Sequence, residues 1–369
     1  MKTKSILHNV RVLDFTRVLA GPYATRLLGD FGAEVIKVQR PGTPADEDAF
    51  ARGYYNTWNR NKRSITLDLN KPEGLALAKK LAGISDAVIE NFTPRVMENW
   101  GLDYTSLKKI KSDIIMVSMS AMGRQSPRRD YTGYAPTVHA LAGLTGRMAL
   151  PGGPPLGPGF SYADHIAGLY ASLGLLGALE ERTKTGEGQY LDISEVDVMR
   201  GLLTDEEAPS APNNIYPCRD GGWCAAAVFT EEEWRGLKRA LGSPGWAEDA
   251  QFSTAEGRRE NRAELDGLIS VWTREHTANE VMSLLQANGA AAGKVQDAAD
   301  LAKDPQLKAR GFFIQGDVLT DASPIRMGRG GAEYERPAPA PGQDNDYVYG
   351  KLLGLSAGEI SALKNKGVI

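Results

Sequence analysis

Apolar residues follow two different spacings along the first half of the chain. Short runs of mostly apolar residues suit buried strands, and between them apolar positions recur every three or four residues, as in an amphipathic helix. Strands that alternate with helices pair in parallel, so the pattern predicts an α/β fold with a doubly wound sheet. The predicted strands are Val10–Phe15, Glu34–Gln39, the alternating part of Asn59–Leu69, Asp86–Asn91, Asp113–Met119 and Gln189–Ile193, and the predicted helices are Pro22–Phe31, Pro72–Ala82, Val96–Trp100 and Pro136–Thr145.

A segment rich in glycine, proline and alanine follows, from Gly152 to Gly188. From about Ile166 to Glu181, small residues and leucine occur on nearly every side, which predicts a buried helix packed closely against its neighbours. Near its start stands one carboxylate, Asp164. Its position alone favours a role as helix cap. The alternative is a nucleophile, because the glycines admit a substrate and a helix N-terminus stabilises negative charge.

The pattern changes after residue 204. Asp205–Asn214 is polar and rich in proline, as linkers are, and from Tyr216 onward short strands and helices predict a small α+β domain. The chain has 369 residues, which exceeds the ~250–300 at which a single core usually stops growing. The sequence therefore predicts two domains.

Composition and charge narrow the function classes. The chain is 42% hydrophobic and 24% charged, with a net charge of -3, so its charge does not favour nucleic-acid binding. No apolar run approaches the ~18 residues of a membrane span, and the first residues lack the apolar core of a signal peptide. Cys218, Cys224 and the four histidines are not at metal-ligand or disulfide spacings. These features predict a reduced cytoplasmic enzyme without a metal ion.

The turn after the first predicted strand is a candidate ligand site, because open α/β sheets bind ligands at the carboxyl ends of their strands. It reads T-R-V-L-A-G-P and matches neither G-x-G-x-x-G nor a Walker loop, so dinucleotide and ATP binding lose their usual support. Its residues can contact a ligand or simply form the turn and fill the core. The candidates are Arg17, Val18, Leu19 and Ala20.

Three cations occur within four residues at Arg60, Lys62 and Arg63. Such a run is usually a solvated face. Together with Arg40, at the end of the second predicted strand, it can instead bind phosphates.

Eight stretches of characteristic sequence occur in order along nearly the whole chain. They are V-L-D-F-T-R-V-L-A-G-P (12–22), G-A-E-V-I-K-V (32–38), N-K-R-S-I-T-L-D-L (61–69), E-N-F-T-P (90–94), Y-A-D-H-I-A-G-L-Y-A (162–171), T-G-E-G-Q (185–189), D-P-Q-L-K-A-R-G (304–311) and R-P-A-P-A-P-G…L-L-G-L-S (336–356). In this combination the chain resembles the class III CoA-transferases of the CaiB/BaiF type, which include formyl-CoA:oxalate and carnitine CoA-transferases.

The resemblance implies a Rossmann-like large domain built from both chain ends, residues 1–204 and 323–369. A linker at 205–215 would lead into an inserted α+β domain at 216–322. It also implies an interlocked homodimer, no metal and no permanently bound cofactor, since coenzyme A is part of the substrate. By position Asp164 matches the nucleophilic aspartate and Arg40 would meet the nucleotide phosphates. The positions implied to contact coenzyme A are Val18, Leu19, Ala20, Arg40, Leu67, Asp68, Asn70, Asn91, Phe92 and Thr93.

The implied reaction moves coenzyme A from an acyl-CoA donor to a carboxylic acid, through an aspartyl–acyl anhydride and an aspartyl–CoA thioester. Asn99 and Ala135 stand where oxalate transferases have an arginine and an acidic residue, and the glycine-rich loop of those enzymes has no counterpart before Tyr216. Oxalate is therefore not the expected acid. The words S-A-M-G-R and S-Y-A-D-H are closest to transferases that use succinyl-CoA with aromatic or dicarboxylic acids.

Two alternatives stay open. One is an acyl-CoA racemase or epimerase of the same fold, against which Tyr134 argues because racemases have a histidine there. The other is a non-catalytic subunit of a heteromeric transferase, suggested by the short segment 202–214. Tyr134 and Tyr162 can line the acyl pocket or simply pack. His165 is expected to have a structural role, because neighbouring side chains on a helix do not face each other.

Overall fold

The structure is a computed structural model that describes residues 5–43, 49–148, 153–203, 210–314 and 319–369, without the side chains of 49–52. The chain forms two compact units, one from residues 1–203 and 312–369 and one from residues 204–311. The domain boundaries expected from the sequence stay predictions. Within the expected linker, residues 205–209 lie outside the described part, and Asn213 already begins a strand.

Six parallel strands form the centre of the larger unit, and their order is β3-β2-β1-β4-β5-β6. This confirms the α/β fold that the alternating pattern predicts. The order reverses between β1 and β4, and sheets of this kind bind ligands in the crevice at that point, beyond the carboxyl ends of the strands. The strands are β1 (Arg11–Asp14), β2 (Glu34–Gln39), β3 (Lys62–Thr66), β4 (Ala87–Glu90), β5 (Ile115–Ser120) and β6 (Tyr190–Ser194).

Helices connect the strands and cover both faces of the sheet. Three of them, the second, the fifth and the ninth, fall where the sequence pattern predicted none. The helices are α1 (Ala20–Asp30), α2 (Ala49–Asn59), α3 (Pro72–Gly83), α4 (Pro94–Trp100), α5 (Tyr104–Ile110), α6 (Ala135–Ala142), α7 (Leu144–Arg147), α8 (Tyr162–Thr185) and α9 (Glu195–Arg200).

Alternate residues of each strand enter two separate cores. On one face Leu13 and Ile36 pack with α3, α5 and the C-terminal residues, and on the other Val12 and Val35 pack with α1 and α8. The burial of both faces explains why the strands read as continuous apolar runs. The arrangement places the first turns of α1 and α8 on the same face of the sheet.

Helix α8 is longer than predicted and is not buried all round. It extends beyond the predicted Ile166–Glu181 at both ends, and its side towards α1 consists of small residues such as Ala167, Gly168 and Ala171. Its opposite side is apolar but exposed, and Leu173 there is 67% accessible. The expectation of a helix buried on every side is therefore wrong for the single chain.

The smaller unit is a three-stranded antiparallel sheet with helices around it, in the order β7-β8-β9. Its core contains Trp234, Phe252 and Leu265 together with the two free cysteines. The elements are β7 (Asn213–Pro217), β8 (Trp223–Ala227), α10 (Glu231–Ala240), α11 (Ala255–Glu260), α12 (Arg262–Thr273), α13 (Ala278–Ala287), β9 (Ala291–Lys294), α14 (Ala298–Lys303) and α15 (Pro305–Ala309).

The chain then returns to the large sheet through the short pair β10 (Phe313–Ile314) and β11 (Thr320–Asp321). A π-helix, Asp346–Leu352, and α16 (Ala357–Asn365) follow. Beside β3, the Asn345 side chain accepts a hydrogen bond from the Thr66 amide at 3.0 Å, and Tyr349 donates one to the Thr66 carbonyl at 2.7 Å. Throughout the described ranges, no helix combines the length and the apolar character needed to cross a membrane.

Candidate active site

The carboxyl edge of the sheet collects most of the residues that the sequence singles out. Because the six strands are parallel, the segments that follow them all leave from this edge. Residues 15–19 follow β1, Arg40 follows β2, residues 67–70 follow β3 and residues 91–93 follow β4. β1 and β4 are direct neighbours, so their two turns lie side by side.

The turn between β1 and α1 is joined to the turn after β4 by a two-way contact. The Asn91 side chain accepts a hydrogen bond from the Arg17 amide and donates one to the Arg17 carbonyl, each at 2.8 Å. The next residue, Val18, has a φ of +63°, in the left-handed region that β-branched residues rarely adopt. Such strain persists only where the surroundings enforce it, and it concentrates at functional turns.

A small cavity lies between these turns. The Arg17 guanidinium stands 5.6 Å from the centre of the Phe92 ring, and Trp100 meets that ring edge-on at 5.5 Å. Arg40 is exposed, and in the described part of the chain no carboxylate pairs with it. Aromatic rings beside cations suit a nucleotide with its phosphates. Five of the predicted coenzyme A contacts line this cavity, namely Arg40, Leu67, Asp68, Asn70 and Phe92.

Asp164 lies in the first turn of α8, beside the first residue of α1. Ser161 is the N-cap residue of α8, so Asp164 is not the capping residue that its position suggests. Instead the backbone amide of Ala20 interacts with its carboxylate and lowers the pKa of Asp164, against the effect of burial. That amide begins α1 and has no partner within its own helix. The two helix starts therefore meet at one carboxylate.

Burial and neighbouring charges set the protonation of this region. Burial raises the pKa of Asp164, although the Ala20 amide and His165 oppose the shift. Glu195, the first residue of α9, is 7% exposed. Burial and the charge of Asp164 raise the pKa of Glu195 to about 8. At neutral pH Glu195 is therefore mostly protonated, and carboxyl groups whose pKa is shifted by burial and a neighbouring charge are frequent at functional sites.

His165 faces aromatic rings. Its Nδ1 donates a hydrogen bond to the Ser161 carbonyl at 2.7 Å, one turn earlier in the chain. Tyr23 and Trp58 lie at 5.1 and 5.2 Å between ring centres. This arrangement fits the structural role expected for His165, because its ring is held by the helix start and by packing.

His139 is a buried histidine on α6. Its Nε2 accepts a hydrogen bond from the Ala163 amide at 3.1 Å, so the ring is neutral, and burial lowers the pKa of His139. This bond satisfies one of the free amides in the first turn of α8, where no side chain from the cap residue does so. His139 thus fixes the backbone immediately before Asp164.

The three clustered cations form neither a solvated face nor a phosphate site. Arg60 pairs with Asp30 at 2.6 Å, and Arg63 pairs with Glu34 at 3.0 Å. Lys62 is completely buried. Their charges are engaged inside the fold, which leaves Arg40 and Arg17 as the cations beside the small cavity.

The remaining predicted residues have varied surroundings. Leu19 is buried, and Thr93 is the residue immediately before α4. Tyr134 is 64% exposed, at the start of α6, and Tyr162 packs on the apolar cluster shared by α6, α8 and α9. A role of the two tyrosines in an acyl pocket stays a prediction.

Two residues of this region were not predicted as site residues from the sequence. Glu195 directly follows β6 and Trp100 ends α4. Glu195 could have been predicted from its position directly after a parallel strand, because the same position identified the other candidate residues. Trp100 gave no such signal, because only the packing of α4 brings it to Phe92.

A larger cavity, of about 470 Å³, lies at the opposite edge of the sheet. Glu34 and Arg63 line it, and they pair with each other. None of the predicted coenzyme A contacts lines it. Among the described residues, no three histidine, cysteine, aspartate or glutamate side chains are grouped as metal ligands.

Comparison with known proteins identifies the family of the chain. The pattern of CoA-transferase family III matches residues 7–345. The chain is 35% identical to the succinyl-CoA–D-citramalate CoA-transferase of Chloroflexus aurantiacus, covering 98% of both chains. It is 31% identical to the β subunit of the succinyl-CoA–L-malate CoA-transferase of that organism, again covering 98% of both.

A solved structure shows the same architecture. The crystal structure of a CaiB/BaiF family protein from Brucella suis superimposes with a TM-score of 0.85 at 29% identity, covering 95% of this chain and 100% of the other. Fold, sequence and the match to the family pattern thus agree along almost the whole length. The chain belongs to CoA-transferase family III and is a class III CoA-transferase.

Proposed function

We propose that the enzyme transfers coenzyme A from succinyl-CoA to a dicarboxylic acid, with Asp164 as the nucleophile. The observation that supports this most is the position of Asp164, where a backbone amide from α1 lies against the partly buried carboxylate. A carboxylate in such a place can attack a thioester, and an adjacent amide can stabilise the charge that develops on the carbonyl oxygen.

In the proposed reaction, an oxygen of Asp164 attacks the donor carbonyl, the C–S bond breaks, and CoA thiolate leaves. The product on the enzyme is a mixed anhydride. The thiolate then attacks the aspartyl carbonyl, which forms an aspartyl–CoA thioester and releases the donor acid with the oxygen that came from Asp164. The acceptor carboxylate attacks this thioester, and the thiolate finally attacks the acceptor carbonyl. No net proton is taken up or released.

The electrostatics of the site are compatible with this cycle. Asp164 must be ionised to attack, and the Ala20 amide and His165 both favour the ionised form. Glu195 keeps its proton at neutral pH because burial and Asp164 raise its pKa to about 8. A neutral Glu195 avoids a second negative charge where an anionic acid must approach.

The coenzyme would bind across the crevice at the switch point. In this arrangement Arg40 holds the nucleotide phosphates and Phe92 contacts the base. Val18, Leu19, Ala20, Leu67, Asp68, Asn70, Asn91 and Thr93 supply the turn backbones and side chains around it. Binding of this remote part holds the reacting sulfur in place. Coenzyme A remains a substrate, with no cofactor held permanently.

The names of the relatives support the choice of acids. Their acceptors, D-citramalate and L-malate, both carry two carboxylates, and their donor is succinyl-CoA. For this chain we infer the same donor and the same acceptor class. Racemisation is the less favoured alternative, because Tyr134 is exposed and occupies the position of the histidine expected in racemases.

The assembly is also a proposal. The exposed apolar side of α8, formed by Leu169, Tyr170, Leu173 and Leu176, supports a homodimer, which we expect to be interlocked. Because one relative is a subunit of a two-subunit enzyme, a heteromer with a paralogue is the alternative. We place the enzyme in the cytoplasm, with the domain boundaries expected from its sequence.

The nucleophile is tested by oxygen transfer. Succinyl-CoA and an acceptor acid labelled with ¹⁸O in its carboxylates are mixed with the purified protein, and the released succinate is analysed by mass spectrometry. With enzyme in excess, the first turnover should release unlabelled succinate, because its new oxygen comes from Asp164. In later turnovers the label should appear in succinate. Direct attack of the acceptor on succinyl-CoA would label succinate from the first turnover and refute the mechanism.

Substitution completes the test. Asp164→Asn should lower the exchange rate by about a thousandfold or more, and hydroxylamine should no longer trap a modified residue 164. Asp197→Asn is the matched control, since Asp197 is an exposed aspartate in the first turn of the adjacent α9, and it should stay fully active. Full activity of Asp164→Asn would refute the assignment, and activity only after addition of a paralogous chain would favour the heteromer.

A further inference from the structure

A cluster of three buried charges lies directly beneath the turn between β1 and α1. Asp14 is the last residue of β1, and its side chain is fully buried. Lys62 is also fully buried, with its Nζ 3.2 Å from Oδ2 of Asp14, and Lys37 is almost fully buried. The register of the sheet places Lys37 opposite Asp14 on the neighbouring strand. We call these three residues the lysine–aspartate cluster.

Every member of the cluster also contacts the turn or the start of α1. Asp14 accepts hydrogen bonds from the Thr16 amide at 2.8 Å and from the Thr25 hydroxyl at 2.7 Å. Lys37 donates to the Thr16 carbonyl at 2.8 Å, and Lys62 donates to the Pro22 carbonyl at 3.1 Å. The cluster thus grips the backbone on both sides of Val18 and Ala20.

The gripped segment is strained and tightly packed. Val18 has its φ of +63° here. A Cβ at Gly21 would lie 2.2 Å from the Thr16 Cβ, so the turn folds back on itself at a distance that only glycine allows. A β-branched residue stays in such a conformation only when its surroundings fix it.

A contribution to the free energy of unfolding does not by itself explain why these charges are buried. Charges taken out of water lose hydration, and a buried ion pair contributes little net stability compared with apolar residues of the same size. The loss is visible for Lys62, because burial lowers the pKa of its ammonium group to about 7 despite the opposing charge of Asp14. Burial would raise the pKa of Asp14, but the two lysines and two hydroxyls outweigh it and lower the pKa.

We propose that the lysine–aspartate cluster is a positioning device, which holds the turn between β1 and α1 so that the Ala20 amide points at Asp164. The proposal rests on the proposed role of Asp164. The cluster does not touch substrate. It acts by keeping one hydrogen-bond donor aimed at the carboxylate that reacts, and the aim of such a donor decides how strongly it stabilises charge.

The test compares two substitutions of buried cations that are neighbours in sequence. Lys62→Met removes one arm of the cluster. Arg60→Met removes an ion pair of similar burial at the other end of α1, where Arg60 meets Asp30. For each purified variant, kcat, the KM for acyl-CoA, the melting temperature and the rate of hydroxylamine-trappable modification of Asp164 are measured. Asp164→Asn serves as the inactive reference.

Lys62→Met should lower kcat and the trapping rate by about tenfold to a hundredfold, the effect of a small misplacement of a reacting group. This loss should exceed any rise in the KM for acyl-CoA. The acid limb of the kcat profile should move to higher pH, since Asp164 loses the nearby amide that favours its ionised form. The groups that face Asp164, namely His165, Glu195 and Tyr54, are the same in both variants. Arg60→Met should lose stability without a loss of kcat.

Equal kcat in Lys62→Met and Arg60→Met would overturn the proposal. If Lys62→Met does not fold, Thr25→Val replaces it, because this change removes one hydroxyl from Asp14 at nearly constant volume. Thr25→Val should then lower the trapping rate, and an unchanged rate would equally overturn the proposal. If Asp164→Asn itself stays active, the proposed function fails, and this result is distinct from a failure of the cluster alone.

Discussion

Gly168 lies directly against Ala20 at the place where α8 and α1 meet. A Cβ built on Gly168 would stand 2.8 Å from the Ala20 carbonyl oxygen and 2.9 Å from Cδ1 of Tyr23. The absence of a side chain at Gly168 therefore brings the first turn of α1 against α8. One turn earlier on α8, the Asp164 carboxylate interacts with the Ala20 amide. Gly168 and Asp164 therefore both contact the first residue of α1.

Replacing Gly168 with alanine should damage catalysis more than folding. The added methyl group has to push the start of α1 away, and the resulting overpacking costs about 1–3 kcal/mol. A displacement of about 1 Å at a reacting group can lower kcat about a hundredfold. Steady-state kinetics and thermal unfolding of Gly168→Ala measure both effects.

The control for this change is Gly267→Ala. Gly267 lies on the exposed side of α12, and a Cβ there would meet nothing within 4 Å. Alanine in a helix is favoured over glycine by up to about 1 kcal/mol, so this variant should be slightly more stable and fully active. Unchanged kcat in Gly168→Ala would show that the helix contact does not position Asp164.

Asn91 should be required for coenzyme A binding through its grip on Arg17. Asn91→Asp keeps the oxygen that accepts from the Arg17 amide, but it loses the amide group that donates to the Arg17 carbonyl. The new carboxylate also faces that carbonyl. We expect the dissociation constant for coenzyme A, measured by calorimetry, to rise about tenfold, which corresponds to roughly 1.4 kcal/mol.

A contradictory result would be normal affinity for coenzyme A in both Asn91→Asp and Asn91→Ala. In that case the turn after β1 is held without Asn91. The melting temperature of each variant distinguishes loss of the local contact from general unfolding.

Glu195→Gln should stabilise the protein, and increasingly so as the pH rises. Burial and Asp164 raise the pKa of Glu195 from 4.5 to about 8. Between pH 4.5 and about 8, Glu195 is protonated in the folded protein and ionised in the unfolded one, so unfolding releases a proton. The contribution of Glu195 to the free energy of unfolding is therefore complete below pH 4.5 and is lost as the pH rises to about 8. Glutamine does not titrate. The melting temperature of the variant should exceed that of the parent by roughly 5 °C or more at pH 8, and by little at pH 5.

Glu256→Gln provides the matched control, since Glu256 is an exposed glutamate in the first turn of α11. Its effect on the melting temperature should not change with pH. If Glu195→Gln shows the same flat profile, Glu195 is already ionised in the folded protein, and the proposed neutral partner of Asp164 is wrong.

Leu173→Glu should separate the subunits of the proposed homodimer. Leu173 is 67% exposed in the single chain, and it lies at helical spacing with Leu169 and Leu176 on the same side of α8. A charge placed in an apolar interface is not compensated, so light scattering should show a shift from twice the chain mass to the chain mass. Val271→Glu, at a residue 65% exposed on α12, should leave the mass unchanged.

If Leu173→Glu and the parent have the same mass, this side of α8 does not form the homodimer contact. A parent protein that is monomeric alone, and that assembles only with a paralogous chain, would favour the heteromeric alternative.

The pattern of the sequence was sufficient for the sheet and for most of the connecting helices, because strands with both faces buried must be short and apolar. It also placed candidate residues after β1, β2, β3 and β4 correctly at one edge, since parallel strands leave no other arrangement. It failed for α8. The sequence pattern predicted Leu169 and Leu173 as core residues, because periodicity does not distinguish an exposed apolar side of a helix from a buried one.

The sequence pattern also did not predict which charged residues form ion pairs. Arg60, Lys62 and Arg63 are neighbours in sequence, yet each pairs with a different carboxylate. Lys62 and Arg63 are successive residues of β3 and point to opposite faces of the sheet, whereas Arg60 precedes the strand. The sequence did not indicate Glu195 as a site residue, because its protonation depends on burial and on Asp164, which is thirty-one residues earlier in the chain.

The sequence by itself determined the family and the parallel sheet and indicated Asp164 as the candidate nucleophile, since these depend on local residue types and their order. Only the tertiary structure decided which amide meets Asp164, which lysine is buried beneath the turn, and which side of α8 is exposed. Those relationships depend on distances between segments far apart in the chain, and a distance is set by packing rather than by any one residue.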